Sequence, residues 1–200
     1  MHPLQIGITG GIGSGKSIIS TIFKTLGIPV YDSDSHARSL MTEDALLVDL
    51  IKKEFGEEAY TINGSLNRAF ISSQTFGKKE RLEKLNNLVH PRVGADYANW
   101  SDLYKTFPYV LREAALMYES MAHLTVDKMI MVSAPEQLRI KRILLRDPHR
   151  NIDQIKAIIS SQWPEEEKLK RADFVIYNDD KKMVIPQVLE LHKEFLTIAR

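Results

Sequence analysis

The 200-residue chain contains no cysteine. That absence excludes disulfide frameworks, zinc–thiolate sites and cysteine nucleophiles, and it fits a reducing compartment. An excess of charge of one sign is lacking too: 27 basic residues face 26 acidic ones, a net charge of +1. A nucleic-acid surface usually brings a marked basic excess, so no nucleic-acid partner is expected. No stretch approaches the roughly 20 apolar residues that a membrane-crossing helix needs. The opening MHPLQIGITGG has neither the basic region nor the long apolar run of a secretory signal. The expectation is a cytoplasmic protein that meets no membrane. Internal repeats, low-complexity segments and long linkers are missing as well. What is present is ordinary for a globular chain, with 44% hydrophobic and 26% charged residues. The length suffices for one sizeable core and a small inserted subdomain.

Leu4 to Thr9 reads LQIGIT, a short apolar strand. Ile18, Ile19, Ile22, Phe23 and Leu26 then recur at helical spacing, and Gly27 stops that helix. IPVYDSD follows as a second strand ending in Asp32 and Asp34. A strand, a helix and a strand in about 30 residues form a βαβ unit, which implies a parallel sheet. From residue 35 to about 104 the pattern becomes helical, in ALLVDLIKKEFG and KKERLEKLNNLVHP, with AYTI the one weak strand signal. PYVLREAAL and KMIMVSA read as the next two core strands, and PEQLRIKRILLRD as a helix with Pro135 near its first turn. DFVIYN is a last strand, and residues 182–198 form an amphipathic helix. The expected fold is α/β: three α/β/α layers around a parallel five-stranded sheet. The core takes residues 1–34 and 106–200, and a helical insertion takes 35–105.

Gly10 to Ser17 reads GGIGSGKS, which fits G-x-x-x-x-G-K-[ST] without mismatch. The spacing suits a polyphosphate. A loop that wraps a phosphate turns its amides inward, often at φ values closed to residues with a Cβ. The helix that follows offers unpaired N–H groups and the positive end of its dipole. Gly11, Ile12, Gly13, Ser14, Gly15, Lys16, Ser17 and Ile18 are therefore the candidate nucleotide contacts. Lys16 would reach the β- and γ-phosphates, and Ser17 would place its hydroxyl on Mg²⁺. A glycine-rich turn before an ordinary helix is the plainer explanation. The strand before the motif and the helix after it favour the nucleotide.

Three enzyme classes share such a loop. The chain has no N-K-x-D, D-x-x-G switch or L-S-G-G-Q, so GTPases and transport ATPases fit poorly. A short chain with a helical insertion after the second strand suits a small-molecule kinase with a lid. Phosphoryl transfer gains from a carboxylate that orients the attacking hydroxyl. Asp34, at the carboxyl edge of the sheet where ligands bind in open α/β folds, is that candidate. Capping of the next helix by one of the two acids is compatible with catalysis by the other.

Arg139, Arg142 and Arg146 share one face of a helix. Arg139 reads as part of a solvated basic face. Arg146 lies where the helix gives way to RDPHRN, and an arginine there could neutralise the transferred phosphoryl from a lid near residues 142–152; Arg150 could do likewise. From spacing alone His90 reads as a local hydrogen-bonding residue, and the six histidines show no metal-ligand spacing. Trp100 and Trp163 read as packing residues, with stacking on a base as the alternative.

Taken together, these segments resemble the dephospho-CoA kinase family. GITGGIGSGKS followed by GIPVYDSDSHAR is similar to the family's opening, including its D-x-D and the Ala37-Arg38 pair. LVHP resembles its H-P element, and QLRIKRILLRD the helix leading into its lid. SSQWPEEEKLKRADFVIYND is similar to its Q-x-P…A-D-x-V-I-x-N signature. The segments span nearly the whole chain in the family's order. The resemblance implies phosphorylation of the ribose 3′-hydroxyl of dephospho-CoA by ATP with Mg²⁺, the last step of coenzyme A synthesis. It implies Asp34 as the catalytic carboxylate, and Lys16 and Arg146 as the phosphate-neutralising charges. It also implies Arg38 and His90, with the helical insertion, on the acceptor side, and Asn178 near the ATP base. The chain departs from the family where P-L-L-x-E is common: Ala115 stands for the proline, while Glu119 is kept. Glu113, before it, is a candidate to assist Mg²⁺. Two rivals stay open from the residues alone. One is a nucleoside or nucleotide kinase of the same fold. The other is an ATP-sensing module without activity.

Overall fold

A computed structural model describes residues 2–199. Leu4–Thr9 forms β1, and Lys16–Thr25 forms α1. β2 (Val30–Asp32) leads directly into α2 (Ser33–Glu43). Three more helices follow: α3 (Ala45–Phe55), α4 (Arg68–Thr75) and α5 (Lys79–Leu103). The chain then returns to the sheet with β3 (Tyr109–Glu113) and β4 (Lys128–Ser133). After these come α6 (Glu136–Arg146), α7 (Ile152–Ser160), α8 (Glu165–Arg171), β5 (Phe174–Tyr177) and α9 (Val184–Ile198).

The five strands are all parallel and lie in the order β2-β3-β1-β4-β5. β1 is central, with Leu4 opposite Tyr109 of β3 and Ile6 opposite Lys128 of β4. After β1 the chain departs towards the β2 edge, and after its neighbour β4 towards the β5 edge. Such a reversal opens a crevice at the carboxyl ends of the two strands, the usual ligand position in open α/β sheets.

Alternate residues of the strands fill the core on one side. Ile6, Ile8, Tyr109, Leu111, Ile130, Val132 and Ile176 pack on Ile19 and Phe23 of α1 and on Val188, Leu191 and Phe195 of α9. Each such side chain contributes about 1.5–3 kcal/mol through burial. Phe23 meets Tyr109 edge-on, at 6.3 Å and 89°. Burial raises the Tyr109 phenol above its ordinary pKa, and its hydroxyl pairs with His192 Nδ1.

The described chain divides into two compact units, one of residues up to Asp32 and from Ser101 onward, the other Ser33–Trp100. Within the second unit, Leu47, Ile51 and Phe55 form the buried face of α3. Asp44 caps that helix, accepting the Leu47 N–H at 3.0 Å. Asp44 also pairs with Arg92 of α5. The Tyr60 hydroxyl donates to the Met41 carbonyl at 2.7 Å, and burial pushes its pKa up to about 12.

Two local expectations change. The second strand stops at Asp32, so Asp34 stands in the first turn of α2. Ser and Asp favour helix starts, and an acid there meets the positive end of the dipole. AYTI forms only an isolated bridge, Tyr60 with Leu66, because the intervening TINGS turns back at once. α5 runs through Pro91 to Leu103. Pro91 gives up one bond, to the Asn87 carbonyl. Val89, Val93 and Tyr97, buried on one face, keep the helix continuous.

Candidate active site

The segment between β1 and α1 is a tight loop. Gly13 and Gly15 have φ of 80° and 93°. Gly15 is the N-cap of α1, in the left-handed conformation, and no side chain caps the helix by a hydrogen bond. The Gly15 carbonyl accepts the N–H groups of Ile18 and Ile19, at 3.1 and 3.3 Å, and starts the helix. The Ser14 N–H closes the loop on the Gly11 carbonyl at 3.1 Å. Lys16 folds back along it, its ammonium 3.0 Å from the Gly10 carbonyl. The positive end of α1 and this ammonium together have the charge that would suit a phosphate.

Side chains from distant segments hold the loop. Asn178, just past β5, donates to the Ser14 carbonyl at 2.8 Å, and its amide nitrogen occupies the space a Cβ on Gly15 would need. Arg142 in turn donates to the Asn178 carbonyl at 3.0 Å and pairs with Asp180 at 2.6 Å. Arg139 is not on a solvated face. It is 5% exposed, pairs with Glu165 at 3.1 Å and donates to the Ala134 carbonyl at 3.1 Å. These partners compensate the buried charge. Its guanidinium packs under Gly11, where a Cβ would collide with it. Gln162 accepts the Ile12 N–H at 3.0 Å. Ile18, next to the motif, is 60% exposed, so it is not the helix-core residue its hydrophobicity suggests.

At the front of α1, Ser17 Oγ lies 3.0 Å from Glu113 Oε1. Glu113 ends β3 and is 8% exposed. Thr9, at the end of β1, donates to the Ala114 carbonyl at 3.0 Å and fixes that strand end. A hydroxyl beside a carboxylate is an oxygen-only donor pair suited to Mg²⁺, which typically takes one or two protein oxygens and fills its shell with phosphates and water. No group of three or more His, Cys, Asp or Glu stands together among the described residues. The pair thus fits a metal shared with substrate phosphates.

Arg146 ends α6 with an exposed side chain. Its guanidinium makes a fork with Asp147, at 3.1 and 2.9 Å, and Arg150 approaches the same carboxylate at 3.4 Å. The fork raises the Arg146 pKa, while the Arg146 guanidinium holds Asp147 below the usual carboxylate range. The structure thus gathers Gly11 to Ser17 with Asn178, and leaves Arg146 paired at the start of the 147–151 turn.

In the helical unit, Asp34 is exposed on the first turn of α2. Arg38, one turn on, donates to Ser35 Oγ at 2.7 Å. Arg38 and Arg68 line one cavity of about 620 Å³ together with Met41 and Leu66. His90 lies half-buried within α5. His36 pairs with Asp96 at 2.7 Å, a contact that spacing did not suggest. The two tryptophans stack on neighbouring tyrosines, Trp100 on Tyr97 at 6.1 Å and Trp163 on Tyr118 at 5.9 Å. Arg68 and Gln162 were missed as site candidates. N-R-A at a helix start and a glutamine before W-P carry little signal without the fold.

A parallel sheet in this order, with a lysine-bearing phosphate loop after its first strand, defines a P-loop kinase fold. Among solved structures, a shikimate kinase from Aquifex aeolicus vf5 shares that fold at 18% identity, with a TM-score of 0.51 over 98% of this chain and 98% of its own. Dephospho-CoA kinase from Campylobacter jejuni is nearer, with a TM-score of 0.72 at 27% identity over 98% of both chains. The family model for dephospho-CoA kinase matches residues 4–183. The chain is 38% identical over 188 residues to dephospho-CoA kinase of Bacteroides fragilis (strain YCH46), covering 94% of this chain and 91% of the relative. It is 37% identical over 199 residues to that of Pasteurella multocida (strain Pm70), covering 97% and 96%. The chain belongs to the dephospho-CoA kinase family, whose members use ATP to phosphorylate dephospho-CoA to coenzyme A. Among the described residues, no helix is long and apolar enough to cross a membrane.

Proposed function

We infer that this chain carries out the family's reaction through the loop at the mouth of α1 and a carboxylate on α2. The loop backbone from Gly11 to Ser17 grips the β- and γ-phosphates of ATP. Lys16 leaves the Gly10 carbonyl to meet them. Asp34 accepts a hydrogen bond from the ribose 3′-hydroxyl of dephospho-CoA, aims its oxygen and takes its proton as transfer proceeds. The 3′-oxygen bonds to the γ-phosphorus, the bond from that phosphorus to the bridging oxygen breaks, and ADP leaves. Arg146 exchanges Asp147 for the transferred group and neutralises its equatorial oxygens, from a lid near residues 142–152.

Ser17 and Glu113 are the residues that would hold Mg²⁺, which when bound neutralises charge on the β- and γ-phosphates. Arg38 and Arg68 would clamp the acceptor's diphosphate, since guanidinium groups pair with phosphate oxygens in forks. The helical unit, with His90, is thus the acceptor-binding part, and Asn178 anchors the nucleotide side.

The observation that carries this reading is the open, left-handed N-cap at Gly15 with Lys16 beside it, in a chain of this family. A coupled ADP-release assay over an acceptor panel tests it. ADP should appear with dephospho-CoA and not with nucleosides, nucleoside monophosphates or shikimate. Nucleotide binding with no transfer to any acceptor would overturn it in favour of a sensor.

A further inference from the structure

We propose that Gln162 is a positioning residue for the phosphate loop: its neutral side-chain oxygen fixes Ile12 so that the remaining loop amides stay aimed at the triphosphate. This rests on the nucleotide-binding reading of that loop and assigns a part outside it.

A loop with glycines at 10, 11, 13 and 15 has large conformational freedom, so it needs ties from elsewhere to hold one shape. Asn178 ties Ser14, and Arg139 fills the space beneath Gly11. Ile12 is tied from 150 residues away, its N–H donating to Gln162 Oε1 at 3.0 Å.

The far end of that tie is fixed. The Gln162 amide nitrogen donates to the Ala115 carbonyl at 3.4 Å, so one side chain bridges the loop and the segment after β3. The next residue is pinned twice. The Trp163 N–H donates to Glu119 Oε1 at 2.7 Å, and the Trp163 ring stacks on Tyr118 at 5.9 Å and 12°. Glu119 Oε1 is also 2.8 Å from the ammonium of Lys168, which is 1% exposed. Lys168 is buried and Glu119 half-buried, so losing Glu119 would leave a buried ammonium unpaired, and the 161–164 turn has a stiff root. Gln162, Lys168, Arg139 and Gly11 share the wall of one cavity of about 320 Å³.

The amide chemistry explains the residue type. Glutamate in this position would accept the same N–H, but would add a negative charge beside a site built for phosphates. Methionine would fill the same space and accept nothing useful.

Hydrogen–deuterium exchange of the nucleotide-free protein, followed by titration with ADP, separates these roles. Gln162→Met should speed exchange of the peptide containing residues 10–17. It should weaken ADP binding about three- to tenfold, the scale of one neutral hydrogen bond. The KM for dephospho-CoA should stay unchanged. Gln162→Glu should keep the protection of that peptide and weaken ADP through charge, an effect that shrinks with added salt. Wild-type exchange and ADP affinity in Gln162→Met would overturn the proposal, since they would make Gln162 a packing residue. Equal loss of protection in both variants would also overturn it. Thermal melts of each variant tell folding loss from loop loosening. The exchange readout uses no acceptor, so an error in the assigned reaction would leave it unmoved.

Discussion

Ser17 and Glu113 are 96 positions apart in the chain, yet the serine hydroxyl lies 3.0 Å from the glutamate carboxylate. The contact joins the first turn of α1 to the end of β3. Parallel pairing of β1 with β3, Ile8 opposite Glu113, makes it possible. A hydroxyl and a carboxylate at this distance are the pair that the proposed reaction assigns to Mg²⁺.

Glu113→Gln keeps the shape and hydrogen bond to Ser17 but removes the charge. It should lower kcat/KM about ten- to a hundredfold, the usual range for a metal-site partner. Raising Mg²⁺ should recover part of the loss. Steady-state rates across a Mg²⁺ titration check this; an unchanged Mg²⁺ dependence would remove Glu113 from the metal site.

Asp34→Asn should cut kcat by about 10²–10⁴, the range for a positioned general base. ADP affinity should stay within a factor of two or so, because the carboxylate is assigned to the acceptor and not to the nucleotide. Initial rates and calorimetric titration together check the split. A loss confined to ADP binding would contradict it.

Gly15→Ala places a Cβ at a φ of 93° and against the Asn178 side chain. The left-handed backbone alone costs about 1–2 kcal/mol. That corresponds to a melting point lower by roughly 2–8 °C in a chain of this size. ADP binding should fall much further than stability, since Asn178 is pushed off the Ser14 carbonyl. Differential scanning calorimetry and ADP titration check both.

Asp44 provides a pH-dependent prediction. Burial would raise its pKa, but the Leu47 N–H and the Arg92 guanidinium outweigh burial and hold it below the ordinary 3.8. A lowered carboxyl pKa adds stability that is complete above that ordinary value and is lost as pH falls below it. Asp44→Ala also removes the α3 cap, worth about 1 kcal/mol, so its melt at pH 7 should drop by a few degrees. The gap to the parent protein should narrow as the buffer is taken below pH 3.8. A constant gap from pH 7 to pH 3 would contradict the assigned ionisation.

The glycine-rich loop was legible because its demands are local: glycines where φ turns positive, a lysine at the helix start, a strand before and a helix after. The sheet was legible for the same reason, since LQIGIT, YVLRE and KMIMVS carry strand composition on their own. The strand order follows from pairing and not from composition. Arg139 read as solvated because the partner that buries it, Glu165, is 26 residues on and in another helix. Gln162 stood in the Q-x-P segment without a role, because its bond to Ile12 is one that only the fold creates. Asp34 was read as the end of the second strand, whereas it stands in the first turn of α2, because DSDS favours a helix start that alternation does not reveal.

The most direct measurement is a crystal structure with Mg²⁺, a non-hydrolysable ATP analogue and dephospho-CoA. The account predicts the triphosphate against the amides of residues 11–17, with the ribose 3′-hydroxyl within about 3.2 Å of the Asp34 carboxylate. A triphosphate bound away from this loop, or a 3′-hydroxyl out of reach of Asp34 with the γ-phosphate in place, would contradict it.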